Sequence, residues 1–266
     1  MSPAGSATSP LSEAIWNALT EAMVASARHV LAARRVATFD GPKGWDHVAS
    51  QLGVVTMCAV REGLAAVCLP DVALLAEIRA DFQLLWAAVR AFERGAPALD
   101  TTEVEKAARE VALAEDRIAF YGEPVGHGFL TSPDSPRVRR GDWARPGGAV
   151  AALLRAVEAL DRAGTAGPYE AVLPPSAYYA YLQATAEGGE PAREVLAGVL
   201  GGVHRSDVIR GGGAVFSTRG GDFILTVGGD LALRYAYQDR DAIHLYCAET
   251  MTPRLVTPAA VCLLEE

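Results

Sequence analysis

The chain has 266 residues, of which 50% are hydrophobic, and its formal net charge is −8 at pH 7. This length is enough for one large hydrophobic core or two small ones. The first ten residues contain neither Lys nor Arg, which argues against a basic arm that packs nucleic acid. No apolar run is long enough to span a membrane, and no signal peptide is evident. We therefore expect a soluble cytoplasmic protein whose partners include neither nucleic acid nor a membrane.

Residues that could perform catalysis or bind a metal are sparse in this sequence. The four cysteines form no Cys-x-x-Cys pair, and the five histidines lack a second ligand at metal-binding spacing. Neither a Gly-x-Ser-x-Gly nucleophile motif nor a phosphate-binding loop occurs. Two acidic residues with arginines nearby, Glu93 and Asp116, are expected to form salt bridges. The sequence therefore predicts no catalytic residue, no metal site and no cofactor.

In the N-terminal half, hydrophobic periodicity predicts three helices, over 11–31, over 74–94 and from a cap at Asp100 or Thr101 to about 118. The third helix has a charged face that includes Glu115 and Asp116, and such a face is typical of a solvated surface. Between the first two helices, Gly41-Pro42 predicts a turn that uses the conformational freedom of Gly. Trp45 follows as a large anchor.

Two apolar segments within 54–69 predict a β-hairpin that turns at Arg61-Glu62-Gly63. Both faces of this hairpin are apolar, so both must be covered, and an isolated hairpin cannot do that alone. It is therefore either the central hairpin of an internal sheet or an arm that packs on a neighbouring subunit. Cys58 and Cys68 lie symmetrically about the turn, which predicts that they are cross-strand neighbours.

The C-terminal half begins with a stretch rich in Gly and Pro, 121–148, which predicts a boundary between two lobes. Helices are predicted over 149–163, 174–182 and 191–200, with a strand at 170–173 and a loop at 185–190. Further strands are predicted at 208–209, 214–217, 223–227, 231–237, 243–248, 255–256 and 261–264. The order of helices and strands predicts an α+β fold.

Several passages, taken in their order along the chain, resemble the family 1 encapsulins, bacterial shell proteins related to the linocin-type bacteriocins. The resemblance is densest near the end, as in Arg219-Gly220-Gly221-Asp222-Phe223. The passages that carry it are 34–45, 77–82, 92–95, 114–120, 167–169, 219–223, 229–231, 241–245 and 248–250.

The resemblance implies the fold of the HK97 phage major capsid protein, with a peripheral domain, an axial domain and an extended hairpin called the E-loop. Residues 1–48 would hold the N-terminal helix and the start of the peripheral domain, and 49–73 the E-loop. Residues 74–131 would supply peripheral-domain helices and 132–220 the axial domain. Residues 221–266 would supply peripheral strands and the last axial strand.

The function that the resemblance implies is that of a shell subunit without enzymatic activity. Copies of the chain would form an icosahedral homo-oligomer, a T=1 60-mer, around a cargo such as a dye-decolorising peroxidase or a ferritin-like protein. The targeting peptide of the cargo would bind a groove between the N-terminal helix and the adjacent sheet. In this sequence the groove residues are Met23, Ala27, Val30, Leu31, Arg34, Val36, Asp40 and Leu231.

Pores follow from the symmetry of such a shell. Five copies of one loop would line the fivefold pore, in which Glu187 and Glu190 form acidic rings that favour cations. The pore residues are Thr185, Ala186, Glu187, Gly188, Gly189 and Glu190. Two alternatives stay open: a phage-type major capsid protein, and an antibacterial or protease-like protein of the bacteriocin type.

Overall fold

A computed structural model describes residues 9–59 and 67–266 of the chain. The predicted hairpin turn, Arg61-Glu62-Gly63, lies outside the described residues. The helices are α1 (Glu13–Arg28), α2 (Ala33–Val36), α3 (Trp86–Glu93), α4 (Thr102–Tyr121), α5 (Gly148–Arg162), α6 (Pro175–Gln183) and α7 (Ala192–Leu196). A short 3-10 helix, Pro258–Ala260, precedes the last strand.

The strands are β1 (Thr38–Asp40), β2 (Ala49–Ala59), β3 (Val67–Leu74), β4 (Ala76–Leu85), β5 (Arg137–Arg139), β6 (Tyr169–Leu173), β7 (Leu200–Arg205), β8 (Ala214–Ser217), β9 (Phe223–Val227), β10 (Ala232–Gln238), β11 (Ala242–Leu255) and β12 (Val261–Glu265). The mixture confirms the predicted α+β class. All three helices predicted for the C-terminal half are present, although α7 is shorter than the predicted 191–200.

The first sheet is organised around the long strand β11. Its order is β1-β9-β11-β10, and β4 also pairs with β11. Strand β4 runs antiparallel to residues 242–251 of β11, and β9 runs antiparallel to residues 251–255. The predicted strands 243–248 and 255–256 are therefore one continuous strand, which ties together the N-terminal and C-terminal parts of the chain.

The predicted helix 74–94 is wrong over its first half, where the chain forms β4. Along this strand Ile78, Ala80, Phe82 and Leu84 are buried, and the residues between them are exposed. This alternation is the period of a half-buried strand. The helical prediction arose because Ile78, Phe82 and Leu85 also fit a spacing of three and four. Pairing with β11 decides between the two patterns, and only the second half forms helix α3.

The second sheet has the order β5-β12-β8-β6-β7, and its inner strands β8 and β6 are buried on both faces. Ala171, Leu173 and Val215 face a core formed with α5, α6 and α7. Their neighbours in β6 and β8, among them Val172 and Phe216, face the core of α1, α4 and the first sheet. The predicted strand 208–209 is wrong, because those residues lie in the turns that follow β7.

Four phenylalanine rings join the two sheets. The ring of Phe216 on β8 lies 5.1 Å from that of Phe223 on β9 and 6.0 Å from that of Phe120 on α4. Phe129 lies 5.4 Å from Phe223.

Helix α4 ends just beyond Phe120 because Gly122 adopts a left-handed conformation, with φ of 69°. The N–H of Gly122 donates a hydrogen bond to the carbonyl of Ile118.

Strands β2 and β3 form a two-stranded sheet of their own within the described part of the chain. The interpretation as the central hairpin of an internal sheet is therefore wrong. Leu69, Val72 and Leu74 of β3 are exposed. The Cα register pairs Cys68 with Met57, so the expected pairing with Cys58 is wrong by one position. Cys68 is a free, exposed cysteine.

Candidate functional site

Helix α2 is fixed at its N-terminus by a buried carboxylate from α4. Asp116 accepts hydrogen bonds from the backbone N–H groups of Ala32 (3.1 Å) and Ala33 (2.9 Å). The hydroxyl of Ser206 donates a third bond to the same carboxylate, at 3.0 Å. The predictions of a solvated position and of a salt bridge for Asp116 are therefore wrong. Its side chain is fully buried and satisfies free donors at a helix start.

The environment of Asp116 favours its protonated form. Burial raises the pKa of Asp116 to about 7, although the N–H groups of Ala33 and Ala32 act in the opposite direction. The negative charge of the adjacent Glu115 raises the pKa further. This carboxyl group therefore changes its charge near neutral pH while it is held inside the protein.

Arg34 on α2 is surrounded by three carboxylates from three other parts of the chain. Its Nε and Nη2 donate to the two oxygens of Glu115 at 2.8 and 2.7 Å. Nη1 donates to Asp230 at 2.9 Å, and Nη2 also donates to Glu249 at 2.9 Å. Glu115 is on α4, Asp230 precedes β10 and Glu249 is on β11, so one guanidinium connects α2, α4 and the first sheet.

Burial changes the charges in this cluster. Burial and the negative charge of Glu115 raise the pKa of Glu249 well above its usual value, against the opposing effect of Arg34. Burial therefore favours the protonated form of Glu249. Burial would lower the pKa of Arg34, but its hydrogen bond with Glu115 and the surrounding carboxylates outweigh that effect and raise it.

Apolar side chains surround the Arg34 cluster on the surface. Leu31 and Leu231 are partly buried and pack on a small group formed by Ala27, Val30 and Ala112. The guanidinium carbon of Arg34 lies 5.1 Å from the centre of the Phe39 ring, which is 38% exposed. The result is a partly apolar surface around a fixed arginine.

The structure brings three of the eight predicted groove residues to this surface: Leu31, Arg34 and Leu231. Four others are almost fully buried, at 6% exposed or less, and support the surface from below: Met23, Ala27, Val30 and Val36.

The eighth predicted groove residue, Asp40, does not belong to this surface. It accepts from the hydroxyl of Thr226 (3.2 Å) and pairs with Lys43 (2.7 Å). Successive strand residues point to opposite faces, so Phe39, the preceding residue, lies near Arg34 instead.

The reasoning from sequence missed Phe39, Glu115, Asp230 and Glu249 as members of this site. The three acids lie 81 to 215 residues from Arg34 in the chain, so local spacing could not connect them. Three of the passages that carry the family resemblance, 114–120, 229–231 and 248–250, do contain these acids. These passages were the signal in the sequence that could have identified the three acids as members of the site.

A cavity of about 250 Å³ lies between α1 and the start of β10, next to this surface. Leu231 lines both. Trp45 closes one side of the cavity and packs against Gly229, where a Cβ atom would collide with the indole ring. Trp45 thus packs against residues of its own subunit. The full lining is Trp16, Thr20, Met23, Val24, Trp45, Leu231, Ala232, Leu233 and Arg234.

The turn before Trp45 differs in its physical basis from the prediction. Gly41 is required because a side chain there would collide with the carbonyl oxygen of Val227, and not because of a positive φ. Gly44 is the residue with positive φ, at 110°. Its N–H donates to Gly228 at 2.8 Å, so the turn is held against the end of β9.

The predicted pore loop is a tight turn anchored to the start of α5. The N–H of Ala186 donates to the carbonyl of Glu190 at 2.8 Å, and the N–H of Gly147 donates to the carbonyl of Thr185 at 2.7 Å. Glu187 and Glu190 are both exposed. The structure thus presents two carboxylates on a short, well-anchored loop.

The described residues contain neither a metal-binding cluster nor a membrane-spanning helix. No group of three or more His, Cys, Asp or Glu side chains there could hold a metal ion. No helix in the same residues is both long enough and apolar enough to cross a membrane.

Residues 3–252 match the family described as "Encapsulating protein for peroxidase". The chain belongs to this family. A type 1 encapsulin shell protein from Rhodococcus erythropolis is 33% identical over 255 residues, which cover 95% of each chain. A second one, from Rhodospirillum rubrum, is 34% identical over 94% of this chain and 92% of its own length. These relatives favour the shell protein over the phage and protease alternatives.

The fold is shared with solved shell structures. A virus-like particle from Pyrococcus furiosus has a TM-score of 0.69 at 18% identity and covers 94% of this chain and 99% of its own. The capsid of the Myoviridae phage XM1 has a TM-score of 0.60 at 10% identity, with 88% and 91% covered. The predicted HK97 capsid-like fold is confirmed. The protein is a shell subunit of an encapsulin nanocompartment and self-assembles into a homo-oligomeric particle.

Replacement of Arg34 by Ala should destabilise the subunit by about 3–5 kcal/mol, because it leaves buried carboxylates without their cation. We expect a clear drop in the Tm of purified particles measured by calorimetry. Arg162→Ala removes the surface pair of Arg162 with Glu158 and should cost at most about 1 kcal/mol. Adding Glu115→Gln and Glu249→Gln to Arg34→Ala should recover part of the loss. Equal Tm values for Arg34→Ala and Arg162→Ala would contradict the role of the cluster.

Replacement of Asp116 by Asn should change how stability depends on pH. The pKa of Asp116 rises from an ordinary 3.8 to about 7 on folding, so its contribution is complete below about pH 4 and is lost as the pH rises through 7. Asn does not titrate and still offers an oxygen to the N–H groups. The Tm of Asp116→Asn relative to the unmodified protein should therefore increase between pH 4 and 8. A difference that is constant across this range would refute the buried titration.

Proposed function

We propose that the targeting peptide of a cargo protein binds the surface formed by Leu31, Arg34, Phe39 and Leu231 together with the adjacent cavity beside Trp45. We call this combined surface the docking groove. The observation that carries the proposal is the continuity of the two parts, because Leu231 lines the cavity and also packs next to Leu31. A recessed, partly apolar surface of this kind suits an extended peptide.

The groove would act through alternate side chains of the peptide. In an extended chain every second side chain points the same way, so apolar residues at that spacing could contact Leu31 and Leu231 and enter the cavity. Arg34 would serve mainly as a positioning residue. Its hydrogen bonds to three carboxylates hold α2 against the sheet and keep Leu31 and Phe39 in place.

The cargo is proposed to be an enzyme, and a peroxidase is favoured over a ferritin-like protein. The family description, "Encapsulating protein for peroxidase", supports this choice. The shell subunit itself would have no enzymatic activity. Its physical role would be to concentrate the cargo, to limit access to it and to let small solutes pass, inside the cytoplasm.

The assembly is proposed to be an icosahedral T=1 60-mer. In it, 49–73 would form the E-loop, 132–220 the axial domain, and 1–48, 74–131 and most of 221–266 the peripheral domain. The exposed apolar residues of β3, among them Leu69 and Leu74, support an arm that packs on a neighbouring subunit, since exposed apolar patches mark interfaces.

Cargo loading tests the docking groove. Leu31→Asp places a charge at the centre of its apolar surface and should reduce co-purified cargo by at least about tenfold, because burying an unpaired carboxylate is costly. Electron microscopy shows whether particles form, and mass spectrometry of the purified particles gives the cargo content. Leu154→Asp on α5, where Leu154 is 40% exposed, is the matched control and should load normally. Unchanged loading of intact Leu31→Asp particles would exclude this groove.

Cation entry tests the proposed fivefold pore. Glu187→Gln with Glu190→Gln removes the acidic rings and should slow the entry of Tb³⁺ into particles filled with a luminescent chelator by several fold. Glu158→Gln on α5 changes the net charge of the subunit elsewhere and should leave the rate unchanged. Equal entry rates for both variants would show that these carboxylates do not line the route.

A further inference from the structure

The cavity beside Trp45 lies at the edge of a β-strand. Four consecutive residues around the start of β10, 231–234, line it, although successive side chains of a strand point to opposite faces. Leu233 packs into the core shared with α1, whereas Arg234 stacks on Trp45 with its guanidinium carbon 3.9 Å from the ring centre. A cavity that contacts both faces lies at the edge of the strand, where the main chain itself lines the space.

Strand β10 is an outer strand of the first sheet, and its only partner strand in the described part of the chain is β11. Residues 232–235 form no other backbone hydrogen bond within that part. Because alternate residues of an antiparallel strand bond to the same neighbour, half of the N–H and C=O groups of this segment have no main-chain partner there. Such an edge can pair with another extended chain.

The register identifies the residues whose main-chain groups face the free edge. The N–H of Asp239 donates to the carbonyl of Ala242 at 3.0 Å, so even-numbered residues of β11 direct their main-chain groups toward β10. Over 232–235, even-numbered residues of β10 lie opposite even-numbered residues of β11, and these form the bonds between the two strands. Leu233 and Tyr235 therefore direct their N–H and C=O groups away from β11.

The other outer strands of the two larger sheets have features that usually oppose such pairing, which are short length, exposed charges or glycine. Strands β1 and β5 have three residues each. Strand β4 exposes charged side chains at every second position over 77–81, and β7 contains two adjacent glycines. In 232–235 the single charged side chain, that of Arg234, is stacked on Trp45. A bulge after Tyr235 ends the regular edge.

An extended segment of another protein fits this edge better than a part of the shell itself. Residues 1–8 include Pro3 and Gly5, which are residue types depleted in strands, and Pro has no N–H to donate. The sheet edge of a second copy is too broad, because α1 lines one side of the cavity and Trp45 the other. Leu231 joins the cavity to the surface around Leu31, so a peptide in the docking groove continues directly onto the edge of β10.

We propose that the docked peptide forms an additional strand on the edge of β10, with its main chain hydrogen-bonded to Leu233 and Tyr235. The proposal rests on the proposed function of the docking groove and specifies how the partner is recognised. Main-chain bonds provide affinity for an extended segment that lacks Pro at the paired positions, and alternate side chains provide specificity. One set of side chains would contact Met23 and Val24 of α1, and the other set would contact Trp45.

Proline substitution tests the pairing, because it removes an N–H group from the strand edge. The N–H of Tyr235 faces away from β11, and Pro is tolerated at such a position of an edge strand. Tyr235→Pro should lower the cargo content of particles at least about tenfold relative to Tyr235→Ala, which loses the same side chain but keeps the N–H. Electron microscopy shows whether particles form, and mass spectrometry gives their cargo content. Equal cargo content in the two variants would overturn the proposal.

Hydrogen exchange measured by mass spectrometry tests the pairing without a substitution. Particles purified from native cells with their cargo are compared with empty particles, made by expressing the shell subunit alone in an unrelated host. In occupied subunits the amides of Leu233 and Tyr235 should exchange at least about tenfold more slowly, whereas those of Ala232 and Arg234, which already bond to β11, should change little. The slowed fraction should equal the ratio of cargo peptides to subunits. This measurement is decisive if Tyr235→Pro fails to form particles.

The remaining outcomes separate the strand pairing from the docking groove. Slow exchange of Leu233 and Tyr235 in empty particles would show that residues 1–8 or a second copy fill the edge, and equal slowing at all four positions would indicate side-chain contact alone. Either result overturns the proposal. Loss of cargo from Leu31→Asp with equal loading of the two Tyr235 variants would keep the groove and reject the pairing. Normal loading of Leu31→Asp with the alternating exchange pattern would reject the groove around Leu31 and keep the pairing.

Discussion

The hydrogen-bonded cluster around Arg34 determines how the N-terminal segment is attached to the rest of the subunit. Arg34 joins α2 to Glu115 on α4 and to Glu249 on β11, and Asp116 caps the same short helix. A helix of four residues has almost no stability of its own, so its position depends on these contacts. Such buried ion pairs add little net stability, because desolvation offsets attraction. Their main effect is to define one arrangement of α1, α2 and the first sheet.

The docking groove depends on that arrangement. Leu31 precedes α2 and Phe39 follows it, so the position of α2 sets the distance between them. The raised pKa of Glu249 favours its protonated form, and this reduces the cost of placing several acids around one cation, since fewer buried negative charges repel each other. The cluster can thus be dense without being strongly anionic. The surface above it stays mostly apolar, which suits a peptide that contributes apolar side chains.

Much of the fold follows from local sequence patterns, and the failures have specific physical causes. Helices α1, α4 and α5 were predicted because one apolar stripe runs through each. Strand β4 was missed because its alternating pattern also fits helical spacing, and only its partner β11 decides. Glu115 and Asp116 were assigned to a solvated face because the pattern within a helix cannot reveal which loop covers it. Asp40 was assigned to the groove in place of Phe39 because the faces of β1 are fixed by its pairing with β9.

The same reasoning defines the role of Arg34 beside the groove. A guanidinium has five N–H donors, and Arg34 uses most of them on Glu115, Asp230 and Glu249. It has little capacity left for a ligand. The contribution of Arg34 is therefore to hold the surrounding surface in place.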